Sequence, residues 1–417
     1  MAVSLCPNSM TSVSATHLEP PNILPPEPEL TFLEMLRRAE AMRDVLRARQ
    51  QHCEELGRLP EETHRDFLNA GFYRILQPRC FGGYDFSLTD FVRLTLEISR
   101  GCIDTGWVLS LLASQPPFLN IFPDKARREA YGLHGDCRAA GAIKPGGSAC
   151  PVGDEYRVQG SWDYCSGCDI ATHFLGGILL RDSPAQPPKG MAFVLLDRDH
   201  FEIIDNWDML GMQGTGSRRV VVAERLIPAY RVIPLKNDLW ETPGQPDSAS
   251  QANPAAGGFA TCAVAVGAAR GALDLYDEIL RTRKWKVPPF PLRFEMPEMQ
   301  QHFGDAQALI DAAEAALLSL ADQCSERHRL SLAQGVPFAG KDARRILRAG
   351  GQCIDLAWQA IELMFRTGGS SSATSQASLG RCFRGLAVLR THLGLQYDHV
   401  SMNVARLHFG LPPLSPL

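Results

Sequence analysis

From Phe259 onward the chain carries four long stretches with apolar residues at three- and four-residue steps: FATCAVAVGAARGALDLYDEILRTRK, MQQHFGDAQALIDAAEAALLSLADQCSERHRL, AGKDARRILRAGGQCIDLAWQAIELMFRTGG and SLGRCFRGLAVLRTHLGLQYDHVSMNVARLHFG. No amphipathic helix can hide its apolar face alone, so four in succession predict a four-helix bundle over residues 257–417. Gly267, Ala268, Gly271 and Ala272 on the first stretch leave room for a close helix contact.

Upstream the period changes twice. Residues 137–236 carry short β-branched runs such as GMAFVLLDRD and RRVVVAERLIP, separated by glycine turns, which predicts a β domain. Residues 29–136 are again helical in period. Phe32, Met35, Leu36, Ala39, Met42 and Leu46 share one face, Ser87 with Asp90 reads as a helix cap, and Pro116 and Pro117 read as a stop. The Pro- and Ser-rich stretch 237–256 predicts a linker, and residues 1–28 a flexible tail. The fold class is α+β: an N-terminal helical domain, a central β-barrel-like domain and a C-terminal four-helix bundle.

A net charge of −4 over 417 residues gives no electrostatic pull toward nucleic acid or an anionic membrane. The N-terminus lacks a signal-peptide pattern, and Ala255–Ala269 is too short and too rich in Ala and Gly to span a bilayer. Twelve cysteines without repeated spacing predict reduced thiols and a cytoplasmic protein. Cys165 and Cys168 form a CxxC without a second pair or spaced histidines, so no metal site is expected.

The densest motif is WDMLGMQGTGSRRVVV, Trp207 to Val222, with Gly211, Gly214 and Gly216 close together. No lysine follows as a P-loop requires, and the downstream run is a strand where a dinucleotide fingerprint needs a helix. By itself this is a tight turn between strands. In WDYCSG, Tyr164 and Ser166 stand two apart on a strand and would point to one side. His392 and His399 lie one heptad apart on the last long helical stretch, with Asp398 beside them.

The order of these parts, ending the β domain on WDMLGMQGTGSRRVVVAERLIP, resembles the acyl-CoA dehydrogenase superfamily. Within it the chain is most similar to the flavin-dependent monooxygenase branch, the oxygenase components of two-component aromatic hydroxylases. DTGWVLSLLASQPPFLNIFPDKARREAYG, GSWDYCSGCDIATHFLGGIL, VGAARGALD and FRTGGSSSATSQASLGRCFRGLAVLRTH carry the rest of the resemblance, which covers roughly residues 35 to 411.

The resemblance implies reduced flavin (FMNH2 or FADH2) and O2 as cofactors, with oxygen transfer through a flavin C4a-hydroperoxide. It also implies an aromatic or polycyclic small-molecule substrate, a separate flavin reductase and a homotetramer. The glycines of the turn would let backbone approach the flavin ring, with Trp207 packed near it and Thr215 and Ser217 offering hydroxyls. Trp162, Tyr164, Ser166 and Gly167 would form the second ring contact. His392, with Ser166, would be catalytic, since imidazole titrates near neutrality. Arg283, with Gln300 nearby, would reach a flavin phosphate, often across a subunit boundary. The loop Gly368, Gly369 and Ser370 would bind the flavin's polar end. Trp107 and Gln115 would line the substrate pocket. The branch often has a histidine where this chain has Gln115, which can hydrogen-bond but not titrate.

An acyl-CoA dehydrogenase needs a carboxylate base, and no Asp or Glu occurs in Thr367–Gly385 or Gly257–Leu273. That argues against dehydrogenation. A non-catalytic flavin-binding homologue is the remaining alternative. No nicotinamide fingerprint is present, in keeping with a reductase that delivers the flavin.

Overall fold

The computed structural model describes residues 22–235, 255–334, 340–392, 395, 397–412 and 414. The helices before the sheet are α1 (Phe32–Leu56), α2 (Glu61–Asn69), α3 (Leu88–Gly101), α4 (Ile103–Ala113), α5 (Pro116–Leu119) and α6 (Asp124–Tyr131). Ser87 and Asp90 cap α3 reciprocally, side chain to backbone in both directions at 3.1 Å. The sequence IDTGWVLSLLA has one charged residue, and α4 is accordingly buried on nearly every side. Pro116 and Pro117 end α4 but also open α5, because proline fits a helix's first turn.

The expected flexible tail is shorter than residue 28. Ile23 donates its N–H to the Cys80 carbonyl at 3.1 Å, and Glu27 pairs with Arg38 at 2.7 Å. Residues 237–254 of the expected linker lie outside the described residues.

The strands are β1 (Ala139–Val152), β2 (Glu155–Cys165), β3 (His173–Leu180), β4 (Gly190–Asp197), β5 (Glu202–Ile204), β6 (Arg218–Pro228) and β7 (Val232–Pro234). They form one mixed sheet in the order β5-β6-β2-β1-β3-β4-β7, with β1 and β3 parallel and the other pairs antiparallel. The barrel-like expectation needs correcting. The sheet is open, with the three-residue strands β5 and β7 at its two edges.

Trp162 fills the hollow of this sheet. Its indole is 2% exposed, donates to the Gly177 carbonyl at 2.7 Å, and lies edge-on to Phe174. Glycines make the space: a Cβ on Gly160 would sit 2.4 Å from the ring. Trp162 is therefore a core residue with no face left for a cofactor, which corrects its reading as a ring contact.

The C-terminal region comprises α7 (Ala256–Thr282), α8 (Pro297–Gln334), α9 (Gly340–Thr367), α10 (Ser378–Leu389) and α11 (Tyr397–His408). The small-residue face of α7 is used inside the chain. A Cβ on Gly267 or Gly271 would lie 2.4 or 2.3 Å from α3 backbone oxygens, and Arg100–Asp274 at 2.7 Å ties the two helices. The fourth long stretch does not form one helix. It breaks after Leu389, where Thr391 Oγ1 turns back onto the Val388 carbonyl at 2.8 Å. His392 therefore stands in the connection between α10 and α11, not on a helix face.

Candidate functional site

The turn from Trp207 to Ser217 is clamped between α1, α4 and α10, and its glycines are what let it in. A Cβ on Gly211 would lie 2.5 Å from the Arg384 backbone of α10, and one on Gly214 would lie 2.4 Å from Cys53 Sγ and 2.8 Å from Asp104 Oδ2. Gly216, at φ +53°, lies against Asp169 and Gly57. The glycines were expected to admit a flavin ring. What approaches them is protein.

The side chains of the same turn point into a connected chain of hydrogen bonds. Trp107 Nε1, on α4, donates to Ser166 Oγ at 2.9 Å. Ser166 Oγ is 2.6 Å from Ser217 Oγ, which is 2.7 Å from Thr215 Oγ1, which donates to the Met212 carbonyl at 2.8 Å. Counting protons fixes the direction of every bond. An indole N–H only donates and a carbonyl only accepts, while each hydroxyl has one proton. Thr215 gives its proton to Met212, so Ser217 must donate to Thr215, and Ser166 to Ser217. All three hydroxyl protons are spent. To any ligand this chain offers lone pairs and no proton.

Around it stand aromatic rings. His392 meets Trp107 edge to face, with centroids 5.4 Å apart. Trp207 donates its indole N–H to the same Met212 carbonyl at 3.1 Å, and Tyr164 stands perpendicular to it at 6.0 Å. The His392 ring is open to solvent, yet crowding by protein lowers its pKa, so the imidazole is neutral at pH 7.

Tyr164 and Ser166 do not share a side as the strand period implied. A register shift between Trp162 and Cys165 and a left-handed Tyr164, φ +65°, break the alternation. Tyr164 is 67% exposed and Ser166 only 6%. Gly167, at φ +72°, faces Val108 and Leu112 of α4. Cys165 and Cys168 give their thiol protons to backbone carbonyls of Trp162 and Gly216, and burial pushes both pKa values up, Cys168 to about 12. Gln115 donates to the Leu111 carbonyl at 3.2 Å and lies over Gly141 of β1.

A second cluster forms where α7 ends. Arg283 hydrogen-bonds the Ser371 hydroxyl beside Gly368, Gly369 and Ser370. Arg293, which the sequence reading missed, donates to the Gly368 carbonyl at 2.8 Å and packs against Gly369. Burial, and then the nearby Arg283, lower the Arg293 pKa. Among the described residues neither arginine has an ion-paired carboxylate. Gln300 is exposed and donates to the Phe294 carbonyl at 3.0 Å, with no bond to this cluster among the described residues. The backbone bond from Arg293 N–H to the Arg283 carbonyl, at 3.0 Å, brings the two arginines together. Nothing in the sequence spacing signals it.

Residues 259–397 match the family described as acyl-CoA dehydrogenase, C-terminal domain. The oxygenase subunit of a flavin-dependent monooxygenase from Rhodococcus jostii is 29% identical over 386 residues, covering 90% of this chain and 98% of that one. The oxygenase component of an FADH2-dependent resorcinol hydroxylase from a Rhizobium species is 26% identical, covering 93% and 97%. The crystal structure of 3-HSA hydroxylase from a Rhodococcus species superposes with a TM-score of 0.82 at 26% identity, covering 92% of this chain and 98% of that one. The chain is thus similar over most of its length to flavin-dependent oxygenases, and over residues 259–397 to the acyl-CoA dehydrogenase C-terminal domain.

These relatives and the superposed structure are named as flavin-dependent monooxygenases and hydroxylases. The Thr367–Gly385 segment, which includes that loop and most of α10, contains no Asp or Glu, and neither does the first part of α7, Gly257–Leu273. Neither place where a superfamily dehydrogenase keeps its base supplies one here.

Proposed function

We propose that the protein is the oxygenase component of a two-component flavin-dependent monooxygenase that hydroxylates an aromatic small molecule. The observation that carries this reading is the acceptor-only hydroxyl chain beside the rings of Trp107, His392, Trp207 and Tyr164. Reduced flavin has N–H groups where oxidised flavin has bare ring nitrogens, so hydroxyls with spent protons fit the reduced form. When bound, reduced flavin supplies the two electrons that activate O2. Ser166 and Ser217 would accept from its N–H groups. Trp107 holds the hydroxyls in place, and Trp207 and Tyr164 would pack against the ring. Neutral His392 donates to or accepts from the reacting oxygen or a phenol group, a role suited to imidazole near pH 7. Gln115 orients the substrate by hydrogen bonding.

Arg283 and the Gly368–Ser370 loop hold the flavin phosphate of FMNH2 or FADH2, where a planar guanidinium suits the anion. The loop and His392 flank α10, which is about 18 Å long at 1.5 Å per residue. With Arg283 at the far end of that helix from His392, one subunit's Arg283 would serve a flavin seated in another, within a homotetramer. The buried free thiols support a cytoplasmic setting. Oxygen uptake measured with the purified protein tests the reading. Uptake and hydroxylated product should require reduced flavin from a separate reductase, and turnover with NADH and oxidised flavin alone contradicts it.

A further inference from the structure

Asp104 opens α4 and is buried among groups that do not neutralise it. Glu54 and Cys53 face it from α1, Cys102 from just ahead of α4, and Arg381, Cys382 and Arg384 from α10. Both arginines are held by Glu54 at 2.6 Å. Oδ2 accepts the Gly214 N–H at 2.9 Å, while Oδ1 has no hydrogen-bond partner. Burial pushes the carboxyl pKa up to about 6. A buried acid without an ion-pair partner is costly, and such a cost persists where a site uses it.

The use is visible in the connections. Asp104 and Trp107 stand three apart on α4, so they share a face. Trp107 grips the turn through the hydroxyl chain and Asp104 grips it through the Gly214 backbone, so Gly214–Ser217 is fixed at both ends to one helix. We propose that Asp104 is a positioning residue for the oxygenation site, holding the Gly214 N–H and so setting Thr215, Ser217 and Ser166 against Trp107. Its ionised form holds harder, because an N–H bond to a carboxylate is about twice as strong as one to a neutral oxygen. The consequence for hydroxylation rests on the function proposed above, whereas the holding of the turn does not.

Hydrogen exchange over residues 209–217, corrected for intrinsic rates, tests the holding without any flavin. In the wild type, protection should rise from pH 5 to pH 8 with a midpoint near 6. Asp104→Asn keeps an acceptor but no charge, so it should show lower, pH-independent protection at pH 8. Its hydroxylated product per reduced flavin oxidised should fall about 10-fold or more, the scale of a small misplacement of reacting groups. His392→Ala, which removes the imidazole beside Trp107, is the control, and it should leave the protection profile unchanged. Wild-type protection at every pH in Asp104→Asn overturns the proposal. If protection follows Asp104 but no product ever accompanies flavin oxidation, the positioning role stands and the oxygenase reading fails.

Discussion

Between Trp107 and the Met212 carbonyl three hydroxyl protons are committed, and the ring beside them that can still exchange one is His392. Replacing His392 with alanine should cut hydroxylation about 10²- to 10⁴-fold, the range for a positioned acid–base group. Peroxide released per flavin oxidised should rise, and reduced-flavin affinity should change little. Because His392 lies outside a helix and is exposed, the alanine gives up mainly its edge-to-face contact with Trp107, and the melting temperature should change little. Wild-type rate and coupling in this variant would make His392 structural.

Asp104 makes the stability of the fold depend on pH. Its folded pKa of about 6 lies above the ordinary 3.8, so the folded state binds more protons across that window. Stability is therefore lost as pH rises from about 4 to 6 and stays lost above it. Asp104→Asn should gain on the wild type by up to about 3 kcal/mol between pH 4 and pH 7, measured by denaturant unfolding. A pH-independent difference would show that Asp104 titrates normally.

Among elements, the turn and α10 depend on each other. A methyl on Gly211 meets the Arg384 backbone at 2.5 Å, which cannot move aside as a side chain can. Gly211→Ala should destabilise by about 1–3 kcal/mol, as overpacking does, and weaken reduced-flavin binding by displacing the turn. Unchanged melting and unchanged affinity would show that the turn is not wedged. The existence of this turn was legible from Gly211, Gly214 and Gly216, but its partner was not. Glycine reports that something approaches closely without saying what, and Cys53, Asp104 and Arg384 are far away in sequence. Tyr164 and Ser166 were misread because a bulge leaves no mark on a period-two pattern. The break at Leu389 did leave a mark, in Gly394 a few residues on, which the strong apolar period outweighed. Arg293 left none, since its role depends on a backbone bridge.

For the whole molecule, the succession of helices, strands and helices was legible because each texture runs for tens of residues. The open edges of the sheet were not, because strand pairing is a long-range property. The proposed association of subunits is carried by Arg283 and its loop, since Gly267 and Gly271 of α7 already face α3. Light scattering should give about four times the 45.8 kDa chain mass, and a stable active monomer would contradict the shared site.

Anaerobic titration of the protein with reduced and with oxidised flavin shows whether the site is built for a flavin reduced elsewhere. Hydroxyls without a free proton leave a bare ring nitrogen unpaired, a loss of about 1–3 kcal/mol. Reduced flavin should bind about 10-fold tighter or more, and equal or tighter binding of the oxidised form would rule out a site made for the reduced ring.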